Sequence, residues 1–104
     1  MIWYVIENIN FLGVASGWGN GYVAVPPSHC LHGHYIYSDR QLKVHGGITY
    51  NGYPYHVNAP KGWWVFGFDT SHIGDDISTW PEERVIEETK ELFIQLLEVE
   101  LGEL

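Results

Sequence analysis

A short polar segment, residues 67–76, places three carboxylates and a histidine directly after an aromatic, strand-like run over residues 62–66. These side chains are Asp69, His72, Asp75 and Asp76. Histidine and aspartate are ligands for Zn²⁺, Mn²⁺ and related ions, and a divalent metal bound in this way activates water for hydrolysis. Asp69, His72 and Asp75 are therefore candidate ligands of a divalent metal or of a small polar molecule.

A second histidine, His45, precedes the glycine pair Gly46-Gly47. Backbone without Cβ atoms lets a ligand approach closely, and its N–H groups can hold an anion. We expect His45 to converge with the loop that carries His72. Two alternatives stay open: the glycine pair is a β-bulge that bends the sheet, and the loop carboxylates only cap turns.

Aromatic residues make up 15% of the chain, including five Trp and seven Tyr. This is more than one small core needs, so some rings must line a groove or an interface. Flat rings stack on nucleotide bases, and Trp and Tyr are also enriched where subunits meet. The predicted ligand-binding residues are His45, Gly46, Gly47, Trp64, Asp69, His72 and Asp75.

Three histidines and the single cysteine of the chain fall close together in residues 29–34. So short a segment cannot wrap a metal ion by itself, and we expect these histidines to be exposed on a loop. Nothing in the sequence supplies Cys30 with a base, so a nucleophilic role is disfavoured. One cysteine also excludes a disulfide within the chain.

The net charge of −8 is unevenly distributed. Residues 1–80 contribute −2, from five acids and three bases, and residues 81–104 contribute −6, from eight acids and two bases. Because backbone binding to nucleic acids needs basic clusters, direct nucleic-acid binding is not expected. The N-terminal residues lack signal-peptide features and no apolar run reaches the ~18 residues of a membrane span, which favours a cytoplasmic protein.

The hydrophobic pattern predicts a single α+β domain over residues 1–104, with sheet and loops in 1–80 and a helix in 81–104. Strands are predicted at 2–6, 11–15, 22–25, 43–45, 48–50 and 62–69, the last covered on both faces. Asn20-Gly21 and Asn51-Gly52 are predicted turns, the first a hairpin signal. The fold expected is an antiparallel twisted sheet with one long amphipathic helix on a face.

The helix is predicted from about Trp80 to about Leu101. Thr79 and Glu82 match a capping box, with Pro81 in the first turn. Apolar residues recur at three- and four-residue steps along the segment, while most of its glutamates take the opposite face.

Three segments occur in a fixed order: Gly-Tyr-Val-Ala-Val at 21–25, Val-His-Gly-Gly-Ile-Thr-Tyr at 44–50, and Trp-Trp-Val-Phe-Gly-Phe-Asp at 63–69 followed by His72, Gly74 and Asp75. This order resembles a family of small uncharacterised proteins encoded by bacteriophages and prophages, over most of residues 20–101. The chain departs from the family pattern in the histidines of 29–34 and in a short loop before the helix. The resemblance implies a phage accessory product, of the kind that often interferes with host defence.

Three functional hypotheses follow. The first is a cytoplasmic, homo-oligomeric accessory protein that binds a small polar ligand, such as a nucleotide-derived defence signal. The second is a metal-dependent hydrolase that uses His45, Asp69, His72 and Asp75. The third is an inhibitor that contacts a host defence protein directly, through the acidic helix face or exposed aromatic residues.

Overall fold

The computed structural model of the chain describes residues 1–9, 16–36, 42–54 and 58–102. Within these ranges the chain forms four strands and one helix: β1 (Ile2–Glu7), β2 (Gly19–Val25), β3 (Tyr50–Gly52), β4 (Trp64–Phe68) and α1 (Glu82–Glu100). All neighbouring strands are antiparallel, in the order β1-β2-β4-β3. The helix packs against this sheet. The α+β prediction is confirmed, while the predicted strand at 11–15 lies outside the described residues.

Strand β4 is interior to the sheet and buried along its whole length, as its apolar run predicts. Phe66 and Phe68 face the helix side of the sheet, where they form one core with α1. The helix contributes Val85, Leu92 and Leu96, which are fully buried and follow its three- and four-residue spacing. The polar loop after β4 is thus attached to the best-packed strand.

The predicted hairpin turn at Asn20-Gly21 is wrong, because β2 already begins at Gly19. The glycine serves a different purpose. A Cβ atom on Gly21 would lie 2.0 Å from the Thr89 side-chain oxygen and 2.4 Å from the Phe68 ring. Glycine is therefore required here because the helix and the sheet approach each other closely.

The middle of the chain also differs from its predicted strands. Residues 43–45 and 48–49 are not strands, and Gly46-Gly47 forms part of a turn and not a bulge in a strand. The predicted turn at Asn51-Gly52 is part of β3. The Asn51 side chain accepts a hydrogen bond from the Ile36 N–H and donates one to the Ile36 carbonyl, each over 2.9 Å. This tertiary pairing overrides the local turn preference.

The helix begins later than the capping-box pattern predicts, with Pro81 as the N-cap and no side-chain cap. Thr79 cannot cap the helix because its hydroxyl and N–H bind the Asp76 carboxylate instead, over 3.0 and 2.8 Å. Asp76 closes its own turn before the helix starts. None of the described helices combines the length and the apolar character needed to cross a membrane.

Candidate functional site

Two segments that are distant in sequence meet beyond the end of β4. One is the turn at residues 44–47, and the other is the loop at residues 69–76. Ligand atoms of His45, His72 and Asp75 all lie within 4.8 Å of one another. His45 therefore converges with the polar loop, as predicted. We call His45, His72 and Asp75 the loop cluster.

The turn that carries His45 is held from three sides. The Gly47 N–H donates to the Val44 carbonyl over 2.8 Å and closes the turn. The His45 N–H donates to the Glu88 carboxylate of α1 over 3.0 Å. The imidazole lies 4.1 Å, centroid to centroid, from the Trp80 ring, which is itself buried. These contacts leave Nε2 as the nitrogen that faces the loop.

The loop folds around the carboxylate of Asp75. The His72 N–H donates to Asp75 Oδ2 over 2.9 Å, and the Asp75 N–H donates to the His72 carbonyl over the same distance. The Ser71 N–H donates to Asp69 Oδ1 over 3.0 Å, which fixes the start of the loop. Asp75 is 6% exposed, so a charged group is held in the base of the site.

The two imidazoles contact the carboxylates differently. His45 Nε2 lies 2.9 and 3.0 Å from the two oxygens of Asp75, at hydrogen-bonding distance. His72 Nδ1 lies 3.3 Å from Asp75 Oδ2 and 3.4 Å from Asp69 Oδ1. Both His72 distances exceed the range in which N–H···O bonds are strong. The Asp75 distance equals the edge of about 3.3 Å between ligands of a tetrahedral ion bound at ~2.05 Å. Asp69 is not among the residues whose ligand atoms lie within 4.8 Å of one another.

Opposing effects act on Asp75. Burial raises the pKa of the Asp75 carboxyl, but hydrogen bonds from His45 and from the His72 N–H, with the electrostatic attraction of His45, outweigh it. The net pKa is lowered, so Asp75 is an anion at neutral pH. The loop cluster thus presents a buried negative charge beneath two half-exposed imidazoles, whose side chains are 25% and 34% exposed.

Gly46 allows His72 to reach this position. It has φ +71°, and a Cβ atom there would lie 2.2 Å from the His72 ring. Gly47 has φ +83°, but a Cβ atom there would contact nothing within 4 Å. Its N–H is occupied within the turn, so it is not available to hold an anion. Of the two glycines, only Gly46 belongs to the site by contact.

The structure places Trp64 apart from the loop cluster. Asp69 lies five residues further along the chain, about 16 Å at the rise of an extended strand. Trp64 is buried beneath a separate group of rings, with Tyr53 and Tyr35 edge-on at 5.0 and 5.2 Å and His32 at 6.0 Å. Trp64 is therefore not part of the loop cluster.

A second group of potential ligands, which we call the helix-end cluster, contains His29, Cys30 and Glu100. The expectation that His29 is exposed is wrong, since its side chain is 1% exposed. His29 Nε2 lies 2.8 Å from the Leu96 carbonyl, and Nδ1 accepts the Leu31 N–H over 3.0 Å. Burial and the adjacent Glu100 raise the pKa of the Cys30 thiol, which disfavours the thiolate that a metal would need.

Trp80 and Glu88 are site residues that the sequence analysis did not identify. Trp80 was assigned only to the start of the helix, and Glu88 to its solvent-exposed face. Trp80 follows the polar loop within five residues, which is a signal that could have identified it. The bond from His45 to Glu88 joins residues 43 positions apart, and no local pattern encodes such a contact.

Comparison with known proteins adds no information on activity: neither a protein-family model, nor a curated protein, nor a solved structure matches the chain.

Proposed function

We propose that this protein binds one divalent transition-metal ion, with Zn²⁺ as the probe, through the loop cluster. His45 Nε2, His72 Nδ1 and an oxygen of Asp75 are the ligands. Asp69 lies outside this group, and its Oδ1 accepts the Ser71 N–H. The observation that carries the proposal is that ligand atoms of His45, His72 and Asp75 lie within 4.8 Å of one another. Within this group, His72 Nδ1 lies 3.3 Å from Asp75 Oδ2, which is too long for a strong hydrogen bond and close to the separation of two ligands on one ion.

The donor set favours a transition metal over Mg²⁺ or Ca²⁺, because imidazole nitrogen suits zinc, iron and nickel, whereas Mg²⁺ and Ca²⁺ prefer oxygen. Three protein ligands leave at least one coordination position for water or for a small polar ligand, the arrangement of catalytic zinc sites. The half-exposed histidines give solvent and solute access to that position. Such an ion would lower the pKa of a bound water to near 7 and so supply a nucleophile.

The function that the site supports best is therefore metal-dependent binding of a small polar ligand, with hydrolysis of that ligand as the reaction open to it. The metal supplies positive charge in a chain whose formal net charge is −8, so an anionic ligand such as a nucleotide phosphate is compatible with the site. The phage accessory and counter-defence context remains a hypothesis that rests on the motif resemblance.

The test is calorimetric titration of the purified protein, stripped of metal, with Zn²⁺. We expect one ion per chain, with an affinity lowered at least about 100-fold in His72→Ala, because one of three ligands is lost. His34→Ala is the matched control. Its side chain is exposed and makes none of the described contacts, so wild-type affinity is expected.

Equal zinc affinity in the wild type and in His72→Ala would contradict the proposal, as would binding of several ions with equal, weak affinity. A subsequent assay with a chromogenic phosphodiester separates binding from catalysis. Hydrolysis that requires metal and is absent in His72→Ala supports the hydrolase, and zinc binding without turnover leaves a ligand-binding protein.

A further inference from the structure

The strand β1 lies at one edge of the sheet, and its outer backbone groups can be identified from the register. The Asn8 N–H donates to the Trp18 carbonyl over 2.8 Å, which continues the β1–β2 pairing beyond Glu7↔Gly19. Residues in an antiparallel pair alternate between hydrogen-bonded and non-hydrogen-bonded positions. The backbone N–H and C=O groups of Ile6 and Tyr4 therefore also point towards β2. The N–H and C=O groups of Trp3, Val5 and Glu7 therefore point away from the sheet.

The two edges of the sheet differ in how they are protected. At the other edge, β3 has only three residues, and the Asn51 side chain pairs with the backbone of Ile36. β1 has six residues, and across the described ranges no residue pairs with its outer edge. It also lacks the proline, lysine or bulge that usually prevents edge pairing, since its sequence is Ile-Trp-Tyr-Val-Ile-Glu.

The β1 strand of a second copy of the chain, in antiparallel orientation, can hydrogen-bond to these outward N–H and C=O groups, and a two-fold axis then relates the two copies. A two-fold axis perpendicular to the sheet pairs residues whose numbers have an even sum, so that each residue meets one on the same face. With the axis at Val5, Val5 pairs with Val5 of the second copy, and Trp3 pairs with Glu7 of the second copy. The three outward-pointing residues of each chain then bond to those of the other.

Charge complementarity favours this register. The Lys90 ammonium lies 5.5 Å from the Trp3 ring centroid, on the helix side of the sheet. Odd-numbered residues of β1 share that side, so Glu7 of the second copy is opposite Trp3 and beneath Lys90. Both Glu7 and Lys90 are exposed, and neither forms an ion pair with another of the described residues. The symmetric dimer gives each of them a partner.

We infer that the protein forms a two-fold symmetric homodimer by antiparallel β1–β1 pairing, which joins two four-stranded sheets into one eight-stranded sheet. Lys90 of each copy pairs with Glu7 of the other copy. The loop cluster is built from other segments, so the dimer and the metal site can be tested independently.

Sedimentation equilibrium of the full chain tests this dimer. At up to about 100 μM, the wild type is expected at twice the 11.9 kDa mass of one chain. Val5→Pro removes an outward N–H and some side-chain packing but no N–H of the β1–β2 ladder, so the protein is expected to be a folded monomer. Val5→Ala loses similar packing but keeps the N–H, and it is expected to remain dimeric.

The ion pair supplies a second test that does not depend on how well the proline variant folds. Glu7→Lys places like charges together twice per dimer and is expected to raise the dimer dissociation constant about 5-fold or more. Glu7→Lys with Lys90→Glu restores both the pairing and the net charge, and affinity should return to within about twofold of wild type. A monomeric wild type, a dimer unaffected by Val5→Pro, or no rescue in the double variant would each overturn the inference.

Discussion

The loop cluster and the helix-end cluster contain similar donors but differ in how those donors are used. In the helix-end cluster, His29 bonds to backbone through both ring nitrogens, and Glu100 accepts the Cys30 N–H over 2.8 Å. In the loop cluster, His72 Nδ1 has only long contacts, and Asp75 holds two imidazoles at one carboxylate. The comparison favours the loop cluster as the proposed metal site, because both ring nitrogens of His29 bond to backbone groups, whereas His45 Nε2 and His72 Nδ1 contact carboxylates.

The largest expected effect is on zinc affinity, and it distinguishes the carboxylate of the loop cluster from the carboxylate of the helix-end cluster. Asp75→Ala should lower zinc affinity at least about 100-fold, because it removes a ligand and the group that orients both histidines. Glu100→Ala should leave zinc affinity within about twofold of wild type. Competition with a chromogenic chelator measures both values. A larger loss in Glu100→Ala than in Asp75→Ala would reverse the assignment of the two clusters.

The next effect is on stability, and here the helix-end cluster is expected to be the more sensitive of the two. His29→Ala should lower the free energy of unfolding by about 1–3 kcal/mol, because it removes a fully buried side chain that joins residues 29–31 to the end of α1. Zinc affinity should not change. Urea denaturation measures the loss, and His34→Ala is the control for removing an exposed histidine from the same segment. Equal stability of the two variants would show that the His29 contacts contribute nothing.

A pair of glycines tests the geometry of the loop cluster. Both Gly46→Ala and Gly47→Ala introduce strain of about 1 kcal/mol, because both positions have positive φ. Only the Cβ atom at Gly46 meets His72, so Gly46→Ala alone should lower zinc affinity about 10-fold. Calorimetry compares the two affinities. Similar affinities in both variants would show that the close approach of His72 is not needed for binding.

The smallest expected effect is a pH dependence. Asp75 has a folded-state pKa below its ordinary value of 3.8, so its ionised form stabilises the fold above that value. This contribution is lost as the pH falls through the folded pKa. Metal-free wild type should therefore lose stability more steeply than Asp75→Asn below about pH 4. Urea denaturation from pH 7 to pH 3 measures this, and parallel curves for the two proteins would contradict it.

The sequence predicted those elements whose local pattern agrees with their tertiary environment. The periodicity of α1 and the apolar run of β4 are of this kind, and both were placed to within a few residues. The hairpin prediction at Asn20-Gly21 is wrong because Gly21 is needed for close packing against Thr89, a contact across the fold. The capping-box prediction is wrong because Thr79 donates its hydrogen bonds to the Asp76 carboxylate and does not cap the helix.

The same distinction applies to the site. The convergence of His45 with His72 and Asp75 could be predicted, because His45 precedes a glycine pair and the other two residues follow a strand end, where polar side chains collect. The separation of Trp64 from Asp69 could also have been predicted, because five residues of an extended strand span about 16 Å. The support that Glu88 and Trp80 give to His45 depends on how α1 crosses the sheet.

The central claim is that the loop cluster, and not the helix-end cluster, binds the metal. The most direct test is anomalous X-ray diffraction at the zinc absorption edge, from crystals grown with equimolar Zn²⁺. The account predicts one strong peak about 2.0–2.1 Å from His45 Nε2 and His72 Nδ1, with a carboxylate oxygen of Asp75 at a similar distance. A peak at His29 and Cys30 instead, or no ordered zinc within bonding distance of His72, would contradict it.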